Sequence, residues 1–141
     1  MMNNNMSLKF DAIAENESFA RSVVAAFCVS CDPTVEKIND IKTAVSEAVT
    51  NCIIHGYENM ANGQILIEAE LSDDLLKVTI SDNGKGIPDV KEALTDFYTT
   101  SKESDERSGL GFTIMKSFMD SLDVQSELGG GTTVTMTKRL K

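Results

Sequence analysis

Glu47-Ala-Val-Thr-Asn51-Cys-Ile-Ile-His55-Gly56 is the stretch on which the reading of this chain turns. Leading into it, Ile38, Ile41, Val45, Val49 and Cys52 recur at steps of three and four. That spacing places them on one face of a long amphipathic helix. Glu47 and Asn51 are one turn apart and stack on a different face. Asp32-Pro33 offers a cap followed by a first-turn proline, so the helix is expected to open there and to stop at Gly56. A carboxylate and a carboxamide one turn apart on a rigid element can act as a base and a metal ligand. Taken alone, the simpler reading is a solvated polar face, and the rest of the chain has to decide.

Upstream, Leu8, Phe10 and Ala12 alternate with polar residues, the mark of a half-buried strand. Asn16 is placed to cap a helix with Phe19, Val23 and Phe27 as its apolar stripe. Glu17 and Arg21 lie one turn apart on its other side, where a surface ion pair would be worth little. Downstream, Asn62-Gly63 turns into Ile65, Ile67, Ala69 and Leu71, and Asp73-Asp74 turns into Leu76, Val78 and Ile80. Two alternating runs joined this way read as an antiparallel hairpin. The second run leads straight into Asp82-Asn-Gly84-Lys-Gly86-Ile-Pro88. By itself that is a turn signal, and no calcium-loop ligand spacing follows it.

Residues 97–108 are polar with no sustained apolar period, a composition suited to a lid or a long loop. Gly109-Leu-Gly111 is expected to open a helix carrying Phe112, Met115, Phe118, Met119 and Leu122. Glycines at a helix start let backbone N–H groups approach a phosphate, although a short Gly-x-Gly is weak on its own. Strands are expected around 124–128 and 134–140, joined by Gly129-Gly130-Gly131-Thr132-Thr133.

At 141 residues the chain reads as one domain, 1–141, with a core of ordinary size. A formal charge of −9 argues against nucleic acid and anionic membrane surfaces and favours a protein partner with a basic patch. No apolar run approaches a membrane span, and no signal peptide is read at the start, so the expected location is the cytoplasm. Three cysteines suit a reducing compartment. Cys28-x-x-Cys31 with Cys52-x-x-His55 spells a zinc-like spacing. Against it, Cys52 lies in the apolar stripe and Cys28 ends an apolar run, so the cysteines read as small buried hydrophobes.

Four signals now stand in order: Glu47…Asn51 on a helix, Asp82-x-Gly84-x-Gly86 after a strand, Gly109-x-Gly111 before a helix, and Gly131-Thr132 between strands. This order resembles the nucleotide-binding domain shared by gyrase B subunits, heat-shock chaperones, sensor histidine kinases and MutL proteins, over nearly the whole chain. Glu17-Ser-Phe-Ala-Arg21, Ser46-Glu-Ala-Val-Thr-Asn51, Ile53-Ile-His-Gly-Tyr57 and Arg107-Ser-Gly-Leu-Gly-Phe-Thr-Ile-Met115 narrow it further. They look like the anti-sigma factor kinases of sporulating bacteria. Members of that family bind sigma factor F and phosphorylate a serine of its anti-anti-sigma factor.

The resemblance implies an α/β two-layer sandwich, a mixed β-sheet with helices on one face (the Bergerat-type ATP-binding fold), and a homodimer. It implies ATP/ADP and Mg²⁺ as cofactors. Asn51 would offer its amide oxygen to Mg²⁺, and Glu47 would be the catalytic base for the serine hydroxyl. Asp82 would accept from the adenine amino group. Gly84 and Gly86 would let the chain pass under the base, and Thr132 would support it. Gly109, Leu110, Gly111 and Phe112 would line the phosphates. Residues 97–108 would form the ATP lid, with Thr99, Thr100, Lys102, Arg107 and Ser108 reaching the nucleotide. Arg21 would contact both protein partners.

The sequence also excludes relatives. His55 is the only histidine and lies in the Asn51 helix, so no separate phospho-acceptor histidine exists for a sensor kinase acting alone. Gyrase and chaperone functions need further domains. Two classes stay open: a serine kinase that sequesters a sigma factor, and a nucleotide-gated binding module with little kinase activity. Within the first, the related kinase of the general-stress sigma factor is the alternative.

Overall fold

The computed structural model describes residues 3–58, 60, 62–87, 89, 90, 94 and 106–141, and for 106–110 the course of the chain alone. In chain order the elements are β1 (Asn3–Asp11), α1 (Asn16–Cys28), a 3₁₀ turn (Val29–Cys31), α2 (Val35–Asn51) and a π turn (Cys52–Gly56). Then follow β2 (Gln64–Ser72), β3 (Leu75–Asp82), α3 (Glu106–Phe118), β4 (Ser121–Glu127) and β5 (Gly131–Arg139).

The strands form one sheet in the order β1-β2-β3-β5-β4. Expected as mixed in direction, the sheet is antiparallel at every described ladder. Alternation decides its two faces. Ile65, Ile67, Ala69 and Leu71 of β2, Leu76, Val78 and Ile80 of β3, and Val134 and Met136 of β5 are buried. Between them Glu68, Glu70 and Lys77 are exposed. Registers such as Ile67↔Ile80 and Ile80↔Val134 line the apolar residues up across the sheet. The helices supply the other half of the core through Ala20 and Val24 of α1, Ile41, Ala44, Val45, Ala48 and Val49 of α2, and Phe112 and Met115 of α3. Each fully buried aliphatic side chain of this kind contributes ~1.5–3 kcal/mol against the entropy of ordering it.

The α2 stripe and the hairpin stand where the sequence puts them, with Asp73 in the left-handed region (φ 58°) at the turn. Other expectations are corrected. Thr34, not Asp32, caps α2: its hydroxyl accepts from the Lys37 N–H at 3.2 Å, and Asp32 with φ 51° ends the preceding 3₁₀ turn. Asn16 does not cap α1 but is its first residue, and its amide donates to the Asp11 carbonyl at 2.9 Å. Helix α3 begins at Glu106, so Gly109 and Gly111 lie within it instead of before it, and 106–108 are helix and not loop. Leu122 belongs to β4 and not to that helix. Among the described residues no helix is long and apolar enough to cross a membrane.

Candidate functional site

Helix α2 changes pitch at its end. Asn51 closes the regular helix, and the Tyr57 N–H reaches back to the Cys52 carbonyl at 2.9 Å, closing a π turn. Such widened turns recur at functional sites because they re-aim side chains. Here the turn brings α2 against the end of β3. An added Cβ on Gly56 would stand 2.9–3.0 Å from the Asp82 carboxylate, and one on Gly84 would strike the Gly56 carbonyl. Only glycine at both positions allows this approach. Gly86, at φ 82°, turns the chain beneath β4.

Asp82, on the core face of the sheet, is a buried acid, 6 % exposed. Its Oδ1 accepts from the Gly84 N–H at 2.8 Å. The Thr132 N–H and the Cys52 thiol also donate to this carboxylate. Burial raises its pKa above the ordinary carboxylate value, and these three donors hold the rise back. The same burial pushes the Cys52 thiol well up, and the neighbouring Asp82 charge adds to it, so Cys52 is a donor and not a thiolate nucleophile. Tyr57 braces the corner from outside: its hydroxyl donates to the Gln64 carbonyl and accepts from the Asn83 N–H, both at 2.7 Å.

On the next face of α2 lie Glu47 and Asn51, both half-buried. Asn51 Oδ1 is buried and has no hydrogen-bond partner among the described residues. An acceptor left so costs ~1–3 kcal/mol, and it suits a cation or donor that arrives with a ligand. Gly111 of α3 packs here, since a Cβ on it would stand 3.0 Å from the Asn51 amide. That contact explains why a glycine sits inside α3, where helix propensity disfavours it. Phe112 beside it is buried. Asn51, which faces α3, and Cys52, which faces Asp82, are adjacent in the chain. A buried acceptor at the sheet end, and on the helix a buried amide oxygen with no partner among the described residues, suit a ligand with a hydrogen-bond donor at one end and a bound cation at the other.

A third polar cluster joins α1 to α2. Arg21 Nη1 lies 3.4 Å from Ser46 Oγ and 4.0 Å from Glu17 Oε1, and the Thr50 hydroxyl donates to the Glu17 carboxylate. Ser46 and Thr50 directly precede Glu47 and Asn51, so Arg21 is anchored beside them while its side chain stays 38 % exposed.

The structure therefore brings together Glu47, Asn51, Gly111 and Phe112 on one side and Asp82, Gly84, Gly86 and Thr132 on the other. Arg107, Ser108, Gly109 and Leu110 lie in the first turns of α3, where side chains are outside the described residues. Thr99, Thr100 and Lys102 lie outside the described residues altogether. Sequence reasoning missed Gly56, read only as a stop, Cys52, read only as a hydrophobe, and Ser126. Cys52 carried no signal, because an apolar stripe does not say what stands across from it. Ser126 did carry one, as a polar residue two positions after the inward-facing Val124.

Comparisons with known proteins show the family and the fold. Residues 10–138 match the family described as the histidine kinase-like ATPase domain. A protein of Clostridium beijerinckii named anti-sigma F factor is 52 % identical over 139 residues, covering 99 % of this chain and 96 % of its own. The anti-sigma F factor of Caldanaerobacter subterraneus subsp. tengcongensis is 57 % identical over 136 residues, covering 96 % and 94 %. Among solved structures, the RsbU and RsbW domains of a Mycobacterium tuberculosis protein superpose with a TM-score of 0.70 at 22 % identity, over 97 % of this chain and 32 % of that longer one. The catalytic domain of the histidine kinase ThkA does so with a TM-score of 0.61 at 16 % identity, over 96 % of each. These structures share the fold, a sheet layered with helices of the Bergerat type, and the closer sequences set the family: the chain belongs to the anti-sigma F factors, built on the histidine kinase-like ATPase domain.

Proposed function

We propose that this chain sequesters sporulation sigma factor F and, as an ATP-dependent serine kinase, phosphorylates and so inactivates the anti-anti-sigma factor. The observation that carries the reading is the buried Asn51 Oδ1, without a hydrogen-bond partner among the described residues, on the helix that also bears Glu47. A module that only bound nucleotide would have no use for a half-buried carboxylate one turn from its cation ligand. Mg²⁺, when bound, supplies charge neutralisation on the phosphates. Asn51 would hold it through the amide oxygen. Glu47 would take the proton of the serine hydroxyl at its carboxylate. Asp82 would accept from the adenine amino group, with Gly56, Gly84 and Gly86 leaving room for the base. Residues 97–108, with Lys102 and Arg107 as cations, would act as the lid, in a homodimer. Incubation with labelled ATP, Mg²⁺ and the anti-anti-sigma factor tests the reading. Label on a serine of that partner supports it, whereas tight nucleotide-dependent binding without label would leave a binding module.

Asn51→Ala should weaken Mg²⁺-dependent ATP binding at least about tenfold, or ~1.4 kcal/mol. Calorimetry with and without Mg²⁺ is the check. Equal losses in both would show that Asn51 only packs against Gly111.

Arg21 is proposed as the residue that both protein partners meet, since a guanidinium offers five donors and a fixed charge. Its ion pair with Glu17 is partly exposed and worth ~0–1 kcal/mol, so removing it leaves the fold intact. Arg21→Ala should keep ATP affinity and weaken both protein complexes about tenfold or more, as an anchor arginine does. Partners retained at wild-type affinity would reduce Arg21 to a surface ion pair.

A further inference from the structure

Ser126 faces the core side of β4 and makes three contacts through one oxygen. It accepts from the Ile87 N–H at 2.7 Å and lies 3.0 Å from the Gly131 carbonyl oxygen and 2.9 Å from Thr132 Oγ1. A hydroxyl has one hydrogen and two lone pairs. The amide N–H can only give and the carbonyl can only receive, so the Ser126 hydrogen goes to Gly131. One lone pair is left for Thr132, whose own hydrogen is directed at Ser126. Thr132 Oγ1 then offers any other neighbour lone pairs alone. Thr132 is also the ladder partner of Asp82. Two acceptors stand side by side on this row of the sheet, the Asp82 carboxylate and Thr132 Oγ1.

We propose that Ser126 is a positioning residue for base selection: by taking up the Thr132 hydrogen it keeps the wall beside Asp82 acceptor-only, which favours the amino group of adenine and rejects the six-position carbonyl of guanine. The proposal rests on the nucleotide reading of this site. A purely structural role competes with it, because the Ile87 contact and the Gly129 N–H on the Lys85 carbonyl at 2.7 Å tie the loop after β3 to the β4–β5 turn. Loss of that tie would weaken all nucleotides alike. Loss of hydroxyl orientation would change the preference between them.

ATP and GTP affinities of the full chain, measured by calorimetry, separate the two. In Ser126→Ala the Thr132 hydroxyl can rotate and donate to a guanine carbonyl. The ATP-to-GTP affinity ratio should fall about tenfold. Ser126→Thr keeps the hydroxyl and should restore the ratio. Thr132→Val, close in shape, removes the acceptor without touching the loop and should also lower it. A ratio unchanged in Ser126→Ala or in Thr132→Val overturns the assignment, even if both affinities drop. So does a Ser126→Thr variant that loses the ratio as fully as the alanine. Asp82→Asn tests the premise separately: if it leaves ATP affinity unchanged, the base does not sit on this row, and the nucleotide reading fails with the inference.

Discussion

Glu47→Gln is expected to lose serine phosphorylation by ~10²–10⁴-fold while binding Mg²⁺-ATP and sigma factor F at near wild-type strength. A general base acts in the chemical step, so its removal lowers turnover without removing ground-state contacts. The glutamine keeps the shape and one acceptor oxygen but cannot take the proton. Position favours this split. Glu47 sits one turn before Asn51 on a helix whose buried face, Ala44, Val45, Ala48 and Val49, is untouched by the change. The adjoining Ser46 and Thr50 hold Arg21 and Glu17, so the proposed partner contact also stays in place. The variant should therefore retain the sigma factor permanently, since release would depend on a partner it binds but cannot modify. A different geometry, with Glu47 orienting a cation's water, would lower nucleotide affinity together with turnover. Single-turnover phosphorylation and calorimetry on one preparation distinguish the two. Phosphorylation within about threefold of wild type would remove Glu47 from the mechanism.

Much of this was legible because apolar periodicity reports on faces. The Ile38-to-Cys52 stripe gave α2, and strict alternation gave β2 and β3 with their turn at Asp73-Asp74. Each places its polar residues by subtraction, which is how Glu47, Asn51 and Asp82 stood out. Periodicity says nothing about what lies across a packed interface. Gly56 and Gly84 read as a stop and a turn, while their use is to let α2 and the end of β3 touch. Gly109-Leu-Gly111 read as the mouth of a helix. The helix instead starts at Glu106, and Gly111 serves the contact with Asn51. Caps were misplaced by one or two residues because Asn16, Asp32 and Thr34 are all competent, and tertiary partners such as the Asp11 carbonyl choose among them. Ser126 needed the strand register before its three partners could be known.

Asp82→Asn is expected to weaken ATP binding by roughly ten- to a hundredfold, in the range of a charge-assisted hydrogen bond lost. The argument is one of supply. Three donors already converge on the carboxylate, from Gly84, Thr132 and Cys52, and the adenine amino group would be a fourth. A carboxylate offers about four lone-pair sites and an amide oxygen two. Whichever way the asparagine is turned, its NH₂ meets a donor. The Gly84 N–H holds the oxygen in place, which leaves the NH₂ facing the base and should bring GTP and ATP closer in affinity. Acid dependence supplies an independent check. Burial raises the Asp82 pKa above 3.8, so the ionised form costs the folded protein stability. Its favourable contribution is complete below pH 3.8 and is lost as pH rises through the higher folded value. Asparagine has no such dependence. The unfolding free energy of the variant without nucleotide, relative to wild type, should therefore climb as pH rises from 3.8 through the higher folded value. ATP affinity of the wild type should fall on acidification through that same raised value, and the variant's should not. A loss of ATP affinity below about tenfold, with a flat stability difference, would leave Asp82 a turn residue that happens to be buried.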